Sequence, residues 1–445
     1  MISQQSAFPR VMVFSAARFG RQRTFARISM HIRIGHLDRH AFVTAALGAS
    51  VALAGEWPEY RGPTHDCVST ETLTAWKGDP KVLWKIKMGP GFGSYAVAGG
   101  KAFVFCEDGG QEKCVSLDVK TGKAFWATPI DKTIHENSGG NGPRSTPAVD
   151  GDQVFVISTY LKLICLNAAT GKPIWGHDID KEFQGQSRTD GIDKWGNSAS
   201  PVLDGDLVFL VGGGRDRSMM ALDKKTGRVA WAHGNEKLTH ATPALATIQG
   251  VRQVIFFTQS GLVACETISG KELWRYAFPF STSTAASPVV FEDIVYCSAG
   301  YGVGGGACRI SKNGDQLKAT EIWRTEKKNV NHWSTPVCKD GYLYGLFGFK
   351  QFASEPLKCV DIKTGKEMWS HDGFGQGGVQ LVGDHLVVQG DGGQIVMVDA
   401  SPKEYNEVGR TQALAGKCWN MPVVSDGKLY ARSTTEAVCL DVSGK

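Results

Sequence analysis

The chain has 445 residues, 42% of them hydrophobic, with 54 glycines, 12 tryptophans and a formal charge of +5. Such a composition excludes disordered and collagen-like chains and describes a turn-rich globular protein with a large core. The positive charge belongs to residues 1–54, which hold seven arginines and a single acid, Asp38; the remainder carries 42 basic against 43 acidic residues, so no nucleic-acid face is expected.

In chain order, Arg33 and Arg39 precede the apolar run AFVTAALGASVALA (41–54), which ends in Ala52-Leu53-Ala54 before Gly55. A basic stretch, an apolar stretch and a small-x-small site read as a cleaved export signal. The run is too short to span a bilayer, which needs roughly 20 residues, so no transmembrane segment is expected. Met30 offers an alternative start, because residues 1–29 lack signal character. No cysteine follows the cleavage site, and a periplasmic or secreted, non-lipidated product is expected. Residues 55–80 then read as an extension lying across the domain that follows.

From residue 81 a repeat takes over. LDVKTGKAFW (117–126) recurs as LNAATGKPIW (166–175), LDKKTGRVAW (222–231) and VDIKTGKEMW (360–369). Aligned on this phrase, Trp84, Trp126, Trp175, Trp231, Trp274, Trp323 and Trp369 form a ladder with spacings of 42 to 56 residues. A second phrase keeps the same period: STPAVDGDQVFV (145–156), ASPVLDGDLVFL (199–210), STPVCKDGYLYGL (334–346) and five variants, which makes eight copies. Each unit reads as four short strands with Asp-Gly and Thr-Gly turns, the signature of a β-propeller blade. In the Thr-Gly turns, Gly122, Gly171, Gly227 and Gly365 are placed to take positive φ. The tryptophans offer flat surfaces for packing between blades.

The two ends are complementary. The last unit stops after Ser443-Gly444 with no outer strand, while KVLWKIKM (81–88) is an outer strand with no blade before it. Pairing them would remove two exposed sheet edges. The expected fold is all-β: an eight-bladed β-propeller over residues 81–445, closed by its N- and C-terminal strands, and monomeric.

These phrases resemble the PQQ-like repeat propellers, the superfamily of the quinoprotein alcohol dehydrogenases and of the outer-membrane β-barrel assembly lipoprotein. The resemblance covers residues 81–445, and EWPEYRGPTHDCVS (56–69) looks like the mature start of exported members. It implies either a scaffold that binds proteins in the cell envelope or a PQQ-dependent oxidoreductase holding the quinone with calcium. The dehydrogenases use a vicinal cysteine pair, and no two of the 11 cysteines here are adjacent. The expected function is therefore a non-catalytic binding scaffold without a resident metal, with the quinone enzyme and a carbohydrate-binding propeller as alternatives.

Four cysteines, Cys165, Cys265, Cys359 and Cys439, occupy one repeat position and read as buried small residues. Cys106 with Cys114, and Cys297 with Cys308, flank hairpin loops; export would favour their oxidation, so each pair is a candidate disulfide. Asp190 and Asp193, with Glu182, could hold calcium but lack EF-hand spacing. His233 and His371 follow outer-strand tryptophans and read as surface residues.

Candidate ligand contacts come from counting three residues before the proline slot in every unit. This gives Phe92, Arg144, Ser198, His240, Ala285, Trp333, Gln376 and Trp419, with His332, Asn420, Asn137 and Asn141 adjoining. A position that only builds the fold tends toward one residue type, whereas this ring mixes cation, imidazole and indole. Arg144, His240, His332, Trp333, Gln376, Trp419 and Asn420 are accordingly expected to receive a small anionic or aromatic ligand, or an envelope protein partner.

Overall fold

Alternating apolar and polar residues broken by tight glycine turns can satisfy their backbone only as short antiparallel strands. The chain does this eight times. The computed structural model describes residues 55–136, 139–185, 195–237, 239–349 and 355–444. The leader, Asn137, Asp190 and Asp193 therefore lie outside the described residues.

Eight sheets, each with four antiparallel strands and one of them extended by a short parallel fifth, follow one another around an axis. Blade 1 comprises strands Ala96–Ala98, Lys101–Asp108, Gln111–Asp118 and Ala124–Lys132, and blades 2 to 7 repeat that order up to Gln412. Blade 8 closes the circle. Its inner three strands are Val423–Ser425, Lys428–Arg432 and Glu436–Asp441, and its outer strand is Lys81–Lys87 from the other end of the chain. Lys81 pairs with Asp441 and Lys85 with Val438, the expected closure. The only helix among the described residues is Ile179–Glu182.

The recurrent phrase has a structural role that the geometry explains. In all eight blades the outer strand carries a β-bulge at the same point, just before the tryptophan slot. A bulge re-aims the next side chain. It leaves Phe125, Ile174 and Met368 exposed and turns the indole toward the following blade. There Trp84 Nε1 donates to Val119 O (3.1 Å), Trp126 to Ala168 O (3.2 Å), Trp175 to Lys224 O (2.8 Å) and Trp231 to Thr267 O (2.9 Å). The same indoles lie flat on the turn glycines: a Cβ on Gly122, Gly171, Gly227 or Gly365 would come within 2.6–2.8 Å of the ring of the preceding blade. Gly122 also sits at φ +69°. Glycine is thus required twice over, by backbone conformation and by indole contact.

The exceptions are equally local. Blade 5 has no Thr-Gly turn, and Trp274 instead donates to Gln253 Oε1 within its own blade (2.6 Å). Blade 7 has Gly409 where the other blades carry tryptophan. Trp76 from the extension fills this place, with Nε1 2.6 Å from where a Gly409 Cβ would stand, and Thr74 covers Gly444 in the last turn. His233 is more than a surface residue: half-buried and stacked on Trp231 (5.3 Å, 26°), it hydrogen-bonds Gly270 O (2.6 Å). His371 is exposed and stacks on Tyr405 (3.8 Å, 4°).

All eleven cysteines are free thiols, and both expected disulfides are corrected by register. Phe105 faces Cys114 across the ladder, so Cys106 points to the opposite side of the sheet. Cys297 faces Gly306 and Cys308 faces Val295, a diagonal offset rather than the opposed pair a bridge needs. Cys165, Cys265, Cys359 and Cys439 are fully buried, as their small apolar slot requires.

The extension crosses the face formed by the turns between first and second strands. Trp57 bridges Val97, Pro58 O accepts from Val149 N, and Glu59 accepts from Leu203 N. Arg61 then reaches Pro336 O, Val68–Ser69 pairs with the inner strand of blade 7, and Glu71 accepts from the amides of Asp426 and Gly427. Residues 57–71 therefore run from blade 1 across the axis and back to blade 8.

Candidate functional site

The axis is lined by the residue just before each proline slot. In six blades this is a hydroxyl: Ser94, Thr146, Ser200, Thr242, Ser287 and Thr335. The hydroxyls tie neighbouring blades together. Ser94 N donates to Thr146 Oγ1, Thr146 N to Ser200 Oγ, Ser200 N to Thr242 Oγ1 and Ser287 N to Thr335 Oγ1, each at 2.9 Å. Blades 7 and 8 replace the hydroxyl with Gly378 and Met421; Ser94 Oγ donates instead to Met421 O. A Cβ on Gly378 would stand 2.3 Å from Met421 Cα, so only glycine fits.

Inside this belt is a cavity of about 420 Å³. Tyr60 from the extension lines it at one end and hydrogen-bonds Thr335 Oγ1. The extension therefore closes one face of the channel, and the loops leading into the inner strands form the mouth. Of the eight ring positions, Phe92, Arg144, Ser198, His240, Ala285, Trp333 and Trp419 all line the cavity, together with His332 and Asn420. Counting along the repeat thus gathers them in one place.

Gln376 is the departure. Its Nε2 donates to Glu355 Oε1, and it is absent from the cavity wall, where Gly377 and Gly378 stand instead. Over blade 7, Trp333 of blade 6 and Trp419 of blade 8 stack on each other (5.2 Å, 13°). Phe92 joins Trp419 at 5.8 Å, and His332 packs against Trp333 at 5.0 Å, Phe349 at 4.8 Å and Tyr301 at 5.3 Å. The result is an aromatic collar over half the mouth.

Two cations border it. The Arg144 guanidinium lies 5.5 Å from the Phe92 ring and donates to Gly142 O and Gly140 O, with Glu136 at 3.9 Å. Lys417 Nζ stands 4.0 Å over the Trp419 ring and donates to Gly139 O. Burial draws both below their ordinary pKa, with Glu136 opposing. Among the described residues the cavity wall has no carboxylate and no thiol. Asn141 instead fixes the mouth loop, its Oδ1 accepting from Glu136 N.

Counting along the repeat does not find Tyr60, Trp195, Tyr301, Ser334 or Lys417. Tyr60 and Trp195 arrive from non-repeated segments and leave no periodic signal. Ser334 and Lys417 each sit one or two residues from a ring position, so a wider window would capture them.

Calcium with a quinone fits this wall poorly. Calcium takes six to eight oxygen ligands, carboxylates prominent among them. The described residues hold no cluster of three His, Cys, Asp or Glu side chains suited to a metal, and the wall offers hydrogen-bond donors and ring faces.

The propeller is similar to solved structures at low identity. BamB from Moraxella catarrhalis aligns over 81% of this chain and 100% of its own, at 14% identity and a TM-score of 0.56. Quinohemoprotein alcohol dehydrogenase from Comamonas testosteroni aligns over 89% and 82%, at 14% identity and a TM-score of 0.63. The computationally designed Ika8 protein aligns over 84% and 100%, at 12% identity and a TM-score of 0.55. At these identities the likeness concerns the fold. No curated protein matches the sequence. The family model described as outer membrane protein assembly factor BamB matches residues 115–345 and 353–442, well over half of the chain. The blades, their strand-swapped closure and this match together show that the chain belongs to the BamB family of PQQ-like repeat propellers.

Proposed function

We propose that this propeller is an exported, non-catalytic binding module of the cell envelope. It presents the mouth of its axial cavity to a protein partner or a small ligand. The observation that carries the reading is the contrast between the two faces. One is closed by the chain's own extension and Tyr60. The other opens onto stacked indoles, a phenyl ring and two cations. Aromatic and cationic surfaces at one concave mouth suit binding, since such groups dominate interface energetics. The basic and apolar leader and the family's described role in outer membrane assembly support the envelope location.

The test is photo-crosslinking in the envelope of the source cell. A crosslinking amino acid replaces Trp333 or Trp419 in turn, with Ile268, 79% exposed on a hairpin turn, as the control position. Products specific to 333 and 419 are expected. Equal labelling from 268, or none from the mouth, would remove the reading. Titration of the purified protein with PQQ and Ca²⁺ tests the alternative: no change in quinone absorbance is expected.

A further inference from the structure

The outer strands divide the propeller into two halves. In blades 4 to 7 the phrase ending at the tryptophan slot reads KELW (271–274), TEIW (320–323), KEMW (366–369) and NEVG (406–409). In blades 8, 1, 2 and 3 it reads KVLW (81–84), KAFW (123–126), KPIW (172–175) and RVAW (228–231). One half has a glutamate two residues before the slot. The other has an apolar residue there and a cation just ahead of it. The strand-swapped closure makes this second set four consecutive blades.

Solvent-facing edge strands are ordinarily guarded by charge. The glutamates meet that rule, and each is bound on its own sheet: Glu272 accepts from Arg275, Glu321 from Arg324, Glu367 from Lys358 and Glu407 from Arg410. In the other half Val82, Phe125, Ile174 and Val229 are instead 40–54% exposed, because the bulge turns the indole inward and its neighbours out. Lys81, Lys123, Lys172 and Arg228 are exposed beside them. The carboxylates of the adjoining turns, Asp118, Asp223 and Asp441, are taken up by the amides of those turns.

These apolar side chains stand one blade apart around a convex edge, so a rigid partner finds no single patch to cover. A fluid surface accepts isolated side chains one at a time, and cations next to apolar residues suit anionic headgroups above acyl chains. We infer that the perimeter of blades 8, 1, 2 and 3 docks on an anionic membrane surface, with Phe125 and Ile174 entering the headgroup boundary and the neighbouring cations meeting lipid phosphates. Blade 5, opposite blade 1, has the longest outer hairpin, Gly304–Asn313 with Gln316–Glu326. Its turn projects on the same face, which keeps the protein from lying flat and tips it toward the apolar half. The cavity mouth is on the other face, so this contact is independent of what the mouth binds.

Co-sedimentation of the mature protein with vesicles provides the test, using phosphatidylcholine alone and phosphatidylcholine mixed with phosphatidylglycerol. Pelleting is expected with the mixed vesicles, fading as salt rises, and not with the neutral ones. Phe125→Ser combined with Ile174→Ser should weaken binding by about tenfold. Lys123→Glu combined with Lys172→Glu should weaken it by about 10- to 100-fold. Met368→Ser, an exposed residue of the glutamate half, should leave it unchanged. All five positions are exposed, so thermal unfolding should not move and serves as the folding control. Equal pelleting with neutral vesicles, full binding by either double variant, loss of binding in Met368→Ser, or no pelleting at all would each overturn the inference. Crosslinks from position 125 to an acidic protein, without vesicle binding, would overturn it in favour of a protein partner. Crosslinking from 333 and 419 decides the mouth separately in every case.

Discussion

The indole of Trp84 lies on Gly122, with ring carbon Cδ2 2.8 Å from where a Cβ would stand, and donates to Val119 O. These residues join blade 8 to blade 1, so the contact is made only when the circle is complete. Trp84→Ala should therefore lower stability by about 3–5 kcal/mol, the usual loss for a large buried aromatic. Gly122→Ala should also destabilise, through positive φ and indole collision. Urea midpoints of both variants, compared with the exposed Ile268→Ala, provide the check.

Trp76 stands in for the tryptophan that blade 7 lacks. Trp76→Ala should cost about 2 kcal/mol of apolar burial and loosen residues 55–80. Limited proteolysis should show faster cleavage within that segment, ahead of any cleavage in the blades. Unchanged proteolysis would mean that the extension is held by its other contacts alone.

Glu112 is fully buried between blades 1 and 2, accepting from Thr159 N (3.0 Å) and Thr159 Oγ1. Burial raises its pKa from an ordinary 4.5 to about 7. A carboxyl raised in the folded state holds its proton more tightly there than when unfolded. Its effect is thus neutral below pH 4.5 and increasingly destabilising as pH rises toward 7. Glu112→Gln keeps an acceptor for Thr159 and removes the titration. The variant should gain melting temperature relative to wild type at pH 8 and match it near pH 4. Parallel melting curves at both pH values would refute this assignment.

Burial pushes the thiols of Cys165, Cys265, Cys359 and Cys439 up to about 12, which leaves negligible thiolate at neutral pH. Ellman's reagent at pH 8 should find almost no reactive cysteine in the native protein and eleven after denaturation. Fewer than eleven would reveal a disulfide.

The fold is readable because it is periodic. Trp84 without a blade and Gly444 without an outer strand announce the closure, and the Thr-Gly phrase announces its own packing. What escapes is everything that arrives out of period: Trp76 covering for Gly409, and Tyr60 reaching the axis. The site is readable as positions, and seven of eight ring residues do line one cavity. Their roles are less legible, because partners decide them. Arg144 is engaged by its own loop carbonyls and Gln376 by Glu355, whereas Asn420 owes its orientation to Gln389, 31 residues earlier. Register, which sequence does not print, decides against the cysteine pairs.

Tyr60 lays the chain's own extension across one end of the axial cavity, so among the described residues the cavity has a floor as well as a mouth. A long polymer cannot be threaded through such a shape and can insert only a free end or a short side branch. Whatever occupies the floor must also depart the way it came, so a partner seated on the rim would trap it there, and the two occupants would influence each other's residence time.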